Sequence, residues 1–261
     1  MKLSHDPWFF LREHTHARIA LGRSGHGLPT HEILEFRLAH SRARDSVWSN
    51  IDLQRLQADL KLESQPPLAV SSKCTSKKDF LLNPNHGRQL DQASKTALQN
   101  VASKDNHPDV VLIIADGLSA NGIQVNAPLL VEEFVAAIKS TALKLGPIVI
   151  AQYARVALGD DIAATLNAKA SIMLIGERPG LASSESVSVY FTYAPSVDRN
   201  DADRNCISNI HSSGLSPHAA AHMALFLLQN SLQKQLSGVN LKFEYPDVSQ
   251  LLPRSSLPKN T

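Results

Sequence analysis

Three segments of this 261-residue sequence carry residue types that could do chemistry. Glu177-Arg178-Pro179-Gly180 follows an apolar run, setting an acid and a base ahead of a turn that holds the backbone open. RNCISNIHSSGLS, residues 204 to 216, reads as a polar loop with Cys206 at its centre. ARIALGRSGHGLPTHE, residues 17 to 32, is the densest segment: glycines let a backbone approach a partner closely, and arginines offer forked donors to carboxylate or phosphate. Each has a plainer reading, respectively a surface salt bridge with a turn, a small buried thiol and a flexible arm. Several templates fail outright. No GxxxxGK[ST] loop exists, GLSANG (Gly117 to Gly122) has the wrong spacing for a dinucleotide fingerprint, and no GxSxG elbow is present. His31-Glu32-Ile33-Leu34-Glu35 ends in Glu where a zinc helix needs a second His. His14, His16, His26, His31 and His40 crowd the first third without a structural zinc spacing, so surface positions and no metal ligand are expected.

These residues need elements to hold them. VVLIIADG (110–117), PIVIAQ (147–152) and SIMLIGE (171–177) are continuous apolar runs, which suit strands buried on both faces of a parallel sheet. VSVYFTY (187–193) alternates more and suits a strand toward a sheet edge. PLLVEEFVAAIKSTALKLG predicts a helix from Pro128 to Gly146, and ARVALGDDIAATLNAKA predicts a shorter one. SPHAAAHMALFLLQNSLQKQL (216–236) predicts a closing helix behind Ser216-Pro217. Strand-helix alternation then makes the fold α/β, a Rossmann-like, mostly parallel sheet domain over 106–261. In such a sheet, turns beyond the carboxyl ends of the strands are where ligands bind.

Residues 1–105 read as a helical N-terminal region with a docking arm. Thr30 is placed to cap a long helix with Ile33, Leu34, Leu38, Ala39, Ala43 and Val47 on one face. A shorter helix follows near Ile51, and residues 63 to 95 read as a surface connection without a strand.

Composition narrows the class. Hydrophobic residues are 43% and charged residues 19%, ordinary for a globular chain. A net charge of +2 builds in no pull toward nucleic acid. No apolar stretch reaches the ~20 residues of a membrane span, and the first residues lack a secretory signal. Cys74 and Cys206 stand alone in dissimilar contexts, so free thiols in a reducing cytoplasm are expected.

Taken in order, ARIALGRSGHGLPTHEILEFRLAHSRARDSVW, PDVVLIIADGLSA, ARVALGDDIAATLNAK, LIGERPGLASSES and DRNCISNIHSSGLS resemble the small (light) subunit of adenosylcobalamin-dependent ethanolamine ammonia-lyase. The resemblance implies a carbon–nitrogen lyase of two kinds of subunit, turning ethanolamine into acetaldehyde and ammonia by radical chemistry. It implies a large TIM-barrel subunit that holds the substrate and most catalytic groups, with adenosylcobalamin at the interface. It implies corrinoid contacts in this chain at Val156, Glu177 and Cys206, no catalytic residue, and no activity alone. Asp105-Asn106-His107-Pro108-Asp109-Val110 comes close to the Asp-x-His-x-x-Gly motif of base-off cobalamin proteins. Its sixth position is Val rather than Gly and it precedes a strand, so base-on cofactor with His107 uninvolved is expected. The resemblance leaves a bacterial microcompartment open as a location. A nucleotide-binding module and a pure scaffold are the competing readings.

Overall fold

A computed structural model describes residues 6–242, apart from His16, Ser24, residues 63–64 and residues 103–106. Its centre is a six-stranded sheet in the order β1-β3-β2-β4-β5-β6. The strands are β1 (Leu68–Ser71), β2 (Val110–Ala115), β3 (Leu145–Gln152), β4 (Ala170–Gly176), β5 (Val187–Tyr193) and β6 (Arg204–Ile210). The first four in that order run parallel, and β5 and β6 are antiparallel additions. Every residue of β2 and β4 is buried, as their unbroken apolar runs require of central strands.

Helices cover both faces. They are α1 (Thr30–Trp48), α2 (Leu53–Asp59), α3 (Lys77–Leu82), α4 (Gln92–Val101), α5 (Ala120–Lys139), α6 (Leu158–Thr165) and α7 (Pro217–Lys234). Leu112 and Ile114 of β2 pack with Ile123, Leu130 and Phe134 of α5 and with Leu228 of α7. Val111 and Ile113, pointing the other way, pack with Leu98 of α4 and Ile162 of α6. The alternation of a strand thus supplies two cores, one on each side of the sheet.

Several expectations are corrected. Residues 63 to 95 contain β1 and α3, and β1 pairs in parallel with β3, so the sheet draws on chain from both sides of the division near 105. The polar run after Arg204 is a strand, β6, not a loop. Its alternation is broken because Val189 opposes Ile207 while Val187 opposes Ile210, leaving an extra residue on β6. Asn209, at φ 63°, absorbs it as a bulge. α5 begins at Ala120, well before Pro128, because the Ser119 hydroxyl accepts the Gly122 N–H at 3.0 Å and starts the helix there. Pro128 lies inside that helix, and Gly146 lies in β3.

α1 also differs. Pro29, not Thr30, occupies its N-cap position, with no side-chain capping bond. Its apolar side chains do not enter the core: Leu34 and Leu38 are 58% and 52% exposed. Glu32 is buried instead, held by Arg12 at 3.2 Å and Arg18 at 3.1 Å. Farther along, the Ser46 hydroxyl is 2.8 Å from that of Ser119 and donates to Ser184 O at 2.9 Å. The helix is tied to the sheet domain by polar contacts while its apolar residues face outward.

Candidate ligand cleft

The turns after β2, β3 and β4 meet at one end of the sheet. Asp116 ends β2 and accepts the Tyr153 N–H at 2.9 Å and the Ala154 N–H at 3.0 Å. Those two bonds hold the turn after β3, where Tyr153 sits at φ 53°. Burial drives the Asp116 carboxyl above the usual carboxylate range, against the pull of Lys77 and its N–H donors. Lys77 is itself buried, donates to Gly117 O at 3.2 Å and lies 5.0 Å from the Phe80 ring centre. A side chain on Gly117 or Gly176 would collide with the backbone of the other loop, so only glycine lets these turns close up.

Above this base lies a cleft of about 540 Å³. Val156 lines it from the turn after β3, Glu177 from the end of β4 and Cys206 from β6. The structure therefore brings together three residues that sequence places far apart. Phe80, Leu118 and Tyr190 add apolar wall, and Arg155 adds charge. A second hollow of about 720 Å³ shares Glu177 and Arg178 with the cleft and reaches Arg42 of α1. The exposed helix and the cleft thus border the same loop. A larger hollow, about 830 Å³, includes Pro108 and Gly146 and shares no lining residue with the cleft.

Glu177 is not paired with Arg178. Its Oε1 accepts the Ser188 hydroxyl at 2.5 Å and the Asn209 N–H at 2.8 Å. Burial would raise its carboxyl, but hydrogen bonds from Ser186, Ser188 and the Asn209 N–H outweigh it and hold it below the usual range. It is ionised at neutral pH. Cys206 is exposed on the sheet edge, and neither it nor the buried Cys74 is in a disulfide. Desolvation raises the Cys206 thiol and pushes its neighbour Tyr190 up to about 12, so both stay protonated.

Arg155 was not singled out from sequence. Its guanidinium stacks on Phe80, 4.2 Å from the ring centre, and donates to Phe80 O at 3.0 Å. Its buried Nε has no partner among the described residues. Asp116, Lys77 and Tyr190 were missed as well. For Asp116 a signal existed, an acid directly behind an unbroken apolar strand. Lys77 and Phe80 gave none, because they come from α3, Phe80 to line the cleft and Lys77 to hold the Gly117 carbonyl beneath it.

This is a doubly wound α/β protein with a cleft at the carboxyl end of its parallel strands, where ligands of such sheets bind, bordered by a helix whose apolar face is uncovered. The ethanolamine ammonia-lyase light chain (EutC) family matches residues 5–242. An ethanolamine ammonia-lyase small subunit from Bradyrhizobium diazoefficiens is 42% identical over 254 residues, covering 97% of each chain. Proteins of the same name from Pseudomonas aeruginosa and Pseudomonas fluorescens are 42% and 43% identical, covering 92% of this chain and 89% and 88% of theirs. The chain belongs to the ethanolamine ammonia-lyase light chain family. None of its described helices is long and apolar enough to cross a membrane.

Proposed function

We propose that this chain is the small subunit of an adenosylcobalamin-dependent ethanolamine ammonia-lyase and forms one wall of its cofactor site. The observation that carries the reading is the convergence of Val156, Glu177 and Cys206 on a single cleft in a chain of this family. The lining suits a corrinoid. Val156, Leu118 and Tyr190 offer apolar surface to a ring edge, the Glu177 carboxylate accepts amide N–H donors, and the unpartnered Arg155 Nε calls for an acceptor such as an amide carbonyl. When bound, the cofactor supplies radical chemistry through homolysis of its cobalt–carbon bond. This chain's residues bind, orient and shield.

A cleft of about 540 Å³ is smaller than a whole adenosylcobalamin, which favours a cofactor shared with a second subunit. That subunit is the large one, which holds ethanolamine and most catalytic groups. The uncovered apolar side of α1, with Leu34 and Leu38 one turn apart, and the arm around Arg23 supply the docking surface. Base-on cofactor is part of the reading. His107 stands two residues ahead of Asp109, whose N–H bonds Lys144 O at the start of β3, and so belongs to the end of the sheet away from the cleft. Cytoplasmic placement, within a microcompartment or free, accompanies this function.

Reconstitution is the test. Copurification with the large subunit, retained red corrinoid and acetaldehyde formation from ethanolamine are expected of the complex, and no acetaldehyde from this chain alone. Turnover by the isolated chain would overturn the division of labour. Copurification without corrinoid would favour a scaffold. Electron paramagnetic resonance of the cob(II)alamin complex with nitrogen-15 histidine checks the lower ligand: an unchanged superhyperfine pattern is expected, and a changed one would put a protein histidine on cobalt.

A further inference from the structure

Three potential metal ligands meet on the α5–α7 face of the sheet, on residues that do not line the cleft. Glu133 comes from α5, and His218 and His222 come from α7. The two histidines are four residues apart, so one helix turn puts them on the same face. Their rings lie 4.5 Å apart, tilted by 56°. His218 Nδ1 is 2.8 Å from Glu133 Oε2. One ligand atom from each of the three residues lies within 4.8 Å of the others, and no other such cluster of His, Cys, Asp and Glu occurs among the described residues.

A surface ion pair would need one histidine and the carboxylate, and it would leave His222 unexplained. The second ring, with a nitrogen also facing the shared space, is what a metal requires. Zn²⁺ takes His nitrogen and carboxylate oxygen at roughly 2.0–2.2 Å, which sets neighbouring ligand atoms about 3.4 Å apart in a tetrahedron. The present spread needs only small side-chain torsions to close to that. Two imidazoles with one carboxylate exclude hard cations such as Ca²⁺ and Mg²⁺, which prefer oxygen, and favour late first-row divalent ions. His218 lies at the start of α7, whose positive end opposes a cation, and the Glu133 carboxylate supplies the compensating charge. His218 is exposed while Glu133 and His222 are half-buried, so water reaches the fourth position.

We propose that Glu133, His218 and His222 bind a Zn²⁺-like divalent cation that staples α5 to α7. A metal on His218 Nδ1 needs that nitrogen's lone pair, so the neutral ring would carry its proton on Nε2 while the Glu133 carboxylate turns from hydrogen-bond partner to ligand. The site is independent of the corrinoid reading and stands if that reading fails.

The test uses the full chain, stripped with a chelator and then titrated with Zn²⁺ at about pH 7.5 against a chromophoric competitor, with retained zinc measured by mass spectrometry. One zinc per chain is expected, with affinity falling at least about tenfold in His218→Ala and in His222→Ala and clearly in Glu133→Gln. Alanine is a strong helix former, so the histidine variants keep α7. A zinc-dependent rise in Tm is expected in the wild type and absent in His222→Ala. Equal zinc affinity in wild type and both histidine variants would assign any binding to other histidines and overturn the proposal. So would no binding below about 1 mM, which corresponds to an affinity too weak for a built site.

Discussion

Glu177, at the end of β4, accepts the backbone N–H of Asn209 at 2.8 Å, and Asn209 is the residue that β6 carries in excess of β5. The bulge frees this N–H from the ladder, and the carboxylate takes it. One side chain therefore both faces the cleft and pins the edge strand that carries Cys206. The acid after β4 is structural before any ligand arrives.

Glu177→Ala should then cost the chain itself about 1–3 kcal/mol, since it removes an ionised acceptor from two donors. Glu177→Gln keeps an acceptor oxygen and should lose less than half as much. Urea unfolding of both variants, at constant slope, is the measurement. Equal stability of wild type and Glu177→Ala would show the Asn209 bond to be incidental. In the reconstituted complex, Glu177→Ala should also lower cobalamin affinity by one to two decades.

The pH dependence has a definite sign. The folded Glu177 carboxyl lies below its ordinary value, so the folded state binds fewer protons in that window. Its contribution is fully present above the unfolded pKa of about 4.3 and is lost as pH falls through the lower folded value. Stability of Glu177→Gln should therefore approach that of wild type in mild acid, below about pH 4. A constant difference from pH 7 down to acid unfolding would contradict this.

Asp116→Asn should destabilise despite removing a buried charge. Both carboxylate oxygens accept N–H groups, Oδ2 from Tyr153 and Oδ1 from Ala154. An amide must turn its NH₂ toward one of these donors, leaving it unsatisfied at about 1–3 kcal/mol. The accompanying sign is visible in crystals or by amide exchange: the turn at Tyr153 and Ala154 should lose protection before the strands do. Unchanged protection there would remove Asp116 as the organiser of the cleft base.

Arg204 and Asp160 are a buried pair, 3% and 2% exposed, linking β6 to α6. Arg204→Met should cost about 3–5 kcal/mol by stranding the Asp160 charge. Adding Asp160→Leu should recover much of that, because the pair's own desolvation cost goes with it. Thermal unfolding of the wild type and the two variants decides between a specific pair and general packing.

Leu34→Glu and Leu38→Glu should leave the isolated chain's Tm unchanged, since both side chains are exposed there. Each should weaken association with the large subunit by at least about tenfold, and Arg23→Ala should weaken it too, as apolar and arginine anchors do in interfaces. Analytical ultracentrifugation of the mixed subunits is the check. Unchanged association in all three would move the docking surface elsewhere.

The sequence by itself determined the central strands. β2 and β4 are unbroken apolar runs, and burial on both faces leaves no other place for such segments. It also determined the family, through blocks whose combined order no single motif could match, and that resemblance is what points to Val156, Glu177 and Cys206 as the proposed corrinoid contacts. Periodicity could not reveal β6, because the bulge at Asn209 breaks its alternation and its outward face is polar. β1 stayed hidden for a different reason: it has four residues, too few to show a period. The apolar stripe on α1 was legible, but which way it faced was not, since a helix face reads the same toward a core and toward a partner. Only tertiary packing decided that Ser46 and Glu32, not Leu34 and Leu38, would be buried. The same holds for Lys77 on the Gly117 carbonyl, for Arg155 on the Phe80 ring, and for Glu133 beside His218. Each pairing joins separate elements, and which side chains meet across a packed interface is set by where whole helices and strands dock, a property that no local stretch of chain encodes.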